Sequence, residues 1–245
     1  MYFSKLMSLN TVPKAKLTIV LPCYNPVAGW AENVVDTTLK VQNKIDATIS
    51  LIIVIDGSKQ NTSSKEIDLL KSRIEGCNII EYKINMGKGY ALRQGVKAVK
   101  NYPIIYTDID FPYTEESFFA IYQELLNGYD AVLGRRDTSY YKKTPWFRKV
   151  ISKTLRGILK SFLKLPTDDT QCGIKGFNKK GSTVFLQTEI NRFLFDLEFV
   201  KLVSKRKLSH KTVPVELKPG IVFSKVNFKI LAKESLNFVK VLFRK

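Results

Sequence analysis

Short runs of β-branched residues alternate with amphipathic helical stretches through the first half of this chain, and few architectures accommodate that rhythm. Residues 17–21, 49–55, 79–83 and 104–107 read as strands, and 31–45, 64–74 and 88–99 carry apolar residues three or four apart. A further strand is expected at 131–133. Strand–helix alternation builds βαβ units and a mostly parallel sheet flanked by helices, an α/β fold whose first half is Rossmann-like. No repeat, low-complexity tract or flexible linker marks off a second large domain. The expected division is one α/β domain over 1–226, which includes a basic amphipathic helix over 146–164, and a second basic amphipathic helix over 227–245.

In such a sheet, ligands gather at the carboxyl ends of the strands, and there this chain concentrates polar residues and turn formers. The first strand runs into Pro22, Cys23, Tyr24 and Asn25, and the second into Asp56, Gly57 and Ser58. The third runs into Asn85, Gly87, Lys88 and Gly89, and the fourth into Asp108 and Asp110. Two carboxylates two residues apart on extended chain share a side and can chelate a hard cation such as Mg²⁺ or Mn²⁺, although a capped strand-end turn has the same appearance. The glycines before 88–99 suit an anion at a helix start, with Lys88 adding charge, or simply a turn. Asp56 suits the imide N–H of a uracil ring or the stabilisation of its own Asp-Gly turn. Arg135 and Arg136 follow the fifth strand, and arginine pairs bidentately with phosphate.

Composition narrows the chemistry. His210 is the only histidine, which removes two-histidine zinc sites and makes a Ser-His-Asp or Cys-His triad a poor expectation. Three widely spaced cysteines argue against a disulfide framework and for a reducing compartment. Carboxylates, Lys/Arg and a hard metal are left as tools.

The motifs together resemble the nucleotide-sugar glycosyltransferases of family 2 with the GT-A fold, and within them the branch that charges polyprenyl phosphates, such as dolichyl-phosphate glucosyl- and mannosyltransferases. The resemblance rests on Leu21-Pro-Cys-Tyr-Asn25, Asp56-Gly-Ser58, Asn85-x-Gly-Lys-Gly-x-Ala-x-Arg-x-Gly95, Asp108-x-Asp110, Asp169-Thr-Gln-Cys-Gly-x-Lys175, Phe195-Asp-x-Glu198 and Ser224-Lys225, in order along nearly the whole chain. It departs from the pattern at Ile55 and Gln60, where family members often carry acids. It implies an inverting, metal-dependent transfer of a hexose from a nucleoside-diphosphate sugar to a polyprenyl phosphate. Asp108 and Asp110 would hold the metal, and Pro22, Tyr24, Asn25, Asp56, Gly57, Lys88 and Asp108 the donor. Arg135, Arg136, Gln171, Lys175 and Lys225 would face the acceptor, and Asp169 and Arg136 would join Asp108 and Asp110 in catalysis. A UDP-sugar is slightly favoured over a GDP-sugar, because Asp56 suits an imide. The alternative acceptor is a sugar hydroxyl on a lipid-linked glycan, which needs a base, with Asp169 first and Asp168 next.

The net charge of +18 is localised: residues 142–164 hold eight Lys/Arg and no acid, and 201–245 hold twelve against Glu216 and Glu234. Both segments, near 146–164 and at the C-terminus, show apolar residues at helical spacing, as basic amphipathic helices do when they lie in an anionic membrane interface. No apolar run reaches the roughly 20 residues of a membrane span, and the N-terminus is not a convincing signal peptide. The expected location is therefore peripheral, on the inner face of the cytoplasmic membrane. A nucleic-acid-binding module would also explain the charge, but it leaves the Asp108-Asp110 pair without purpose, and no recognition motif is present; no nucleic-acid partner is expected.

Overall fold

The computed structural model describes residues 15–136 and 165–220. The expected helices near 146–164 and over 227–245, with Ser224 and Lys225, lie outside the described residues. In chain order the elements are β1 (Lys16–Cys23), α1 (Trp30–Ile45), β2 (Thr48–Asp56), α2 (Ser64–Arg73), β3 (Asn78–Tyr82), α3 (Lys88–Lys97), β4 (Ile104–Tyr106), α4 (Glu115–Leu126), β5 (Ala131–Arg136), β6 (Lys175–Phe177), α5 (Lys179–Phe185), α6 (Phe195–Lys205) and β7 (His210–Val215). They form one seven-stranded sheet in the order β3-β2-β1-β4-β6-β5-β7. Every pairing is parallel except those of β6, which runs antiparallel to both β4 and β5.

The central strands are buried on both faces, so their period-2 alternation sorts side chains into two cores rather than into core and solvent. Leu51, Ile53 and Ile55 of β2 pack with α1 and α4 through Val34, Val41, Phe118 and Ile121. Ile52 and Val54 face the other way, toward Leu92 and Val96 of α3. That second core continues into an aromatic group of Tyr106, Phe177, Phe185, Phe195 and Phe199, with ring centroids 5.1 to 6.2 Å apart. Register then fixes the functional edge. Cys23 pairs with Ile55, Asp56 with Tyr82, and Val20 with Tyr106, so β1, β2, β3 and β4 all release the chain at one sheet edge.

Asp130 ties the later elements together from the start of β5. Its carboxylate accepts hydrogen bonds from Ser209 N (3.0 Å), Asn178 Nδ2 (3.0 Å) and Lys180 Nζ (2.7 Å). Burial alone would raise its pKa; the three donors outweigh burial and hold it at about 2. A carboxylate depressed in the folded state stabilises fully above its unfolded pKa and loses that contribution as pH falls toward the folded value. The parent should therefore lose about 2 kcal/mol more stability than Asp130→Asn between pH 5 and pH 2, most of what a shift from 3.8 to about 2 supplies at ~1.4 kcal/mol per unit, the remainder being lost below pH 2. Urea unfolding of both proteins across that window is the check, and parallel pH profiles would refute it.

Candidate active site

The ends of β1 and β2 are knitted into one rim. Asn25 sits at φ 44, where its Oδ1 accepts Lys59 N (2.8 Å) and its own N–H donates to Ser58 Oγ (3.0 Å). Asn is tolerated in that left-handed conformation because its short amide bonds locally. Pro22 is half-buried beside Val54, whereas Tyr24 is 54% exposed. The Gly57 amide donates to Tyr82 O at 3.0 Å and is used by the fold.

Asp56 departs from expectation. Its carboxylate accepts from Met86 N (2.7 Å), Gly87 N (2.8 Å) and Asn85 Nδ2 (2.9 Å), and the residue is 3% exposed. It is spent on shaping the 85–87 turn, so its reach toward a nucleobase imide, and the preference for uridine drawn from it, lose their basis. The start of α3 is also not an open anion site. Gly89 N (2.8 Å) and Tyr90 N (3.3 Å) both donate to the carbonyl of Asn191. Gly87, at φ 103, could not carry a side chain there, since a Cβ would lie 2.4 Å from that same oxygen.

Lys88 instead projects its ammonium to Asp108, with Nζ 2.5 Å from Oδ1. Asp108 is partly exposed, and Asp110 follows it with Phe111 N bonded to Asp108 O (3.0 Å) and Asn33 Nδ2 to Asp110 O (3.2 Å). Burial and then the charge of Asp108 push the Asp110 carboxyl upward. Gly173 closes the other side: a Cβ there would stand 2.8 Å from Asp108 Oδ2, and its N–H donates to Tyr113 Oη at 2.9 Å. No group of three or more His, Cys, Asp and Glu surrounds a metal position among the described residues. Two hard oxygen donors at an accessible sheet edge nevertheless fit Mg²⁺ or Mn²⁺, which commonly take one or two carboxylates and complete their shell with substrate phosphates and water.

The 165–177 segment brings Asp169 to Arg136 rather than into the open. Arg136 donates to Asp169 through its backbone N (2.9 Å), Nε (2.9 Å) and Nη2 (2.5 Å). Burial would raise the Asp169 pKa, but the hydrogen bonds and charge of Arg136 outweigh it and hold the carboxyl below its usual range. Both arginines lie within β5, which runs past 131–133; Arg135 is exposed and Arg136 is turned to the aspartate. Gln171 is exposed on the loop that passes Asp108, so Arg135 and Gln171 are the described acceptor candidates that face solvent. Lys175 does not. It is fully buried on β6, donating to Asp196 Oδ1 (2.6 Å) and Cys172 O (2.6 Å), and Tyr106 Oη donates to the same Asp196 oxygen (2.6 Å). Its assignment to acceptor phosphates is corrected, because its charge is neutralised inside the protein. Lys225 lies outside the described residues.

Residues 18–185 match the family described as glycosyl transferase family 2. The chain belongs to that family. A dolichyl-phosphate beta-glucosyltransferase of Drosophila melanogaster is 25% identical over 223 residues, covering 85% of this chain and 68% of the relative. The corresponding Homo sapiens protein is 26% identical over 218 residues, covering 83% and 67%. The chain thus spans about two thirds of the length of these relatives. In fold it is similar to glucosyl-3-phosphoglycerate synthase of Mycobacterium tuberculosis, solved with Mn²⁺, UDP and phosphoglyceric acid (TM-score 0.66, 14% identity, 93% of this chain and 77% of that one). It is likewise similar to mannosyl-3-phosphoglycerate synthase of Rubrobacter xylanophilus (TM-score 0.67, 14% identity, 94% and 73%). The GT-A fold and the enzyme class expected from sequence, a nucleotide-sugar glycosyltransferase, both stand.

Three residues that shape this family 2 site were not among the expected site residues. Arg93, from α3, donates to Ile190 O (2.9 Å) and to the Asn191 side chain. Glu198, from α6, accepts the N–H groups of Glu189 and Ile190, both at 2.9 Å. Together they pin the 188–191 strap over the start of α3. Tyr113 positions Gly173 against Asp108. Arg93 and Glu198 stood in recognised motifs, but only the folded strap reveals what they hold.

Proposed function

We propose that this protein transfers a hexose, with inversion, from a UDP- or GDP-sugar to a polyprenyl phosphate at a membrane surface. The reading draws support from the Asp108-Asp110 edge and from the names of the relatives. The observation that carries the choice of acceptor is the Arg136-Asp169 pair. A hydroxyl acceptor must lose its proton as it attacks, and Asp169, the first candidate base, is poorly placed to take it: both its oxygens are committed to Arg136 and its basicity is lowered, which leaves the exposed Asp168. A phosphate monoester, with a second pKa near ~6, is already an anion at neutral pH and needs no such base.

Asp108 and Asp110 would hold Mg²⁺ or Mn²⁺ against the donor diphosphate. When bound, the metal acts as a Lewis acid that draws charge from the leaving phosphate oxygen. Lys88 contributes a fixed cation beside Asp108, and Tyr24 an exposed ring at the β1 end for the base. Arg136 keeps Asp169 from approaching the acceptor phosphate as a free anion, while Arg135 offers an exposed guanidinium to it.

The test is a comparison of acceptors. Purified protein is given radiolabelled UDP- and GDP-hexoses with either a polyprenyl phosphate or a lipid-linked glycan, and Asp169→Asn is run in parallel. The reading expects transfer to the polyprenyl phosphate and a loss of at most about tenfold in the variant. Transfer only to the hydroxyl acceptor, with a loss on the order of 10²–10⁴-fold in a folded Asp169→Asn protein, would replace it by the general-base reading.

A further inference from the structure

Ile84, Met86 and Phe193 stay exposed at 72%, 40% and 50%. They stand on two loops in direct contact. The amides of Gly89 and Tyr90 bond to Asn191, and Gly87 lies against both Asn191 and the Arg192 side chain. The backbone beside them is held in place: Asp56 fixes the amides of Met86 and Gly87, and Arg93 and Glu198 fix the 188–191 strap. Lys83 and Arg192 are exposed beside them, and the nearest acids along the chain are Glu81 and Glu189. Met86 is two residues from Lys88, whose ammonium reaches Asp108, so the patch lies at the rim of the candidate cleft.

We propose that these two loops form a lipid-contact patch that seats the rim of the cleft in the interface of an anionic bilayer. The inference deepens the lipid-acceptor reading above and rests on it. Exposed apolar side chains gathered on two touching loops mark a contact surface. The exposed Lys83 and Arg192 among these side chains select among contacts, since apolar tips can enter the boundary of the acyl chains while the two cations remain at the lipid phosphates. Attachment at this rim would present a phosphate at the membrane surface to the carboxylate edge, and it is distinct from whatever residues 146–164 contribute.

The test measures co-sedimentation with vesicles of phosphatidylcholine alone and of phosphatidylcholine with phosphatidylglycerol, for the parent, for Ile84→Ser/Met86→Ser/Phe193→Ser and for Lys83→Gln/Arg192→Gln. The triple variant should lose about tenfold or more in affinity for anionic vesicles at constant charge, with its melt unchanged because all three side chains are exposed. The charge variant should lose affinity for anionic vesicles only. Ile84→Ser and Phe193→Ser singly should show smaller losses in the same direction. A parent that does not bind vesicles, or a triple variant that binds as tightly as the parent, overturns the proposal. So does loss of a concentration-dependent dimer with vesicle affinity unchanged, which would assign the patch to self-association. UDP and GDP titration with Mn²⁺ on the same samples separates the two claims: donor binding with unaltered vesicle affinity sinks the patch alone, and no donor binding in the parent sinks the proposed function.

Discussion

Asp108→Asn and Asp110→Asn are each expected to lower sugar transfer by about 10²–10³-fold or more while the melting temperature moves by only a few degrees. The size follows from their place: two carboxylates at a strand end, one partly exposed, that would hold the cation on which the leaving diphosphate discharges, an effect of several kcal/mol in the transition state. The stability effect is small because neither side chain fills the core and Asn retains an acceptor for Lys88. Steady-state transfer and thermal melts on both variants decide it. Activity within tenfold of the parent in either folded variant would remove that residue from the site.

The opposite pattern is expected at Lys175. Its ammonium is fully buried on β6 and neutralises Asp196, which is nearly as deep. Removing one partner of such a pair leaves an uncompensated charge at a cost of about 3–5 kcal/mol. For a domain of this size that corresponds to a fall of roughly 6–20 °C in melting temperature. Lys175→Met should therefore melt early, and Lys175→Met/Asp196→Asn should recover much of the loss, because the amide keeps an acceptor for Tyr106 without the charge. If Lys175 instead bound an acceptor phosphate, the single variant would keep its melt and lose acceptor affinity, and the second substitution would not rescue it.

That reversal shows where reading the sequence stops. The strands up to residue 107 were legible because a two-sided parallel strand is a nearly pure apolar run, and α1 and α3 because their stripes repeat at 3.6 residues. The polar endings were legible for the same reason, since nothing apolar competes with them at the sheet edge. By contrast, β6 is three residues long, Lys175, Gly176 and Phe177, and buries a lysine; no periodicity distinguishes it from a loop. Asp56 and Asp169 were correctly seen as unusual, but whether a carboxylate faces a ligand or its own backbone depends on partners 30 or more residues away, here Met86, Gly87 and Arg136. The strap of 188–191 was invisible because it works through main-chain carbonyls and amides, which every sequence has.

The central claim is that the edge formed by β1, β2 and β4 is a nucleotide-sugar site that takes its metal on Asp108 and Asp110. It is tested most directly by calorimetric titration of UDP and GDP into the parent and into Asp108→Asn, with and without Mn²⁺. The account predicts that at least one of the two nucleotides binds the parent about tenfold or more tightly when Mn²⁺ is present, and that this enhancement disappears in the variant while its fold persists. Nucleotide binding that is indifferent to the metal in the parent, or an enhancement that survives in Asp108→Asn, would contradict it.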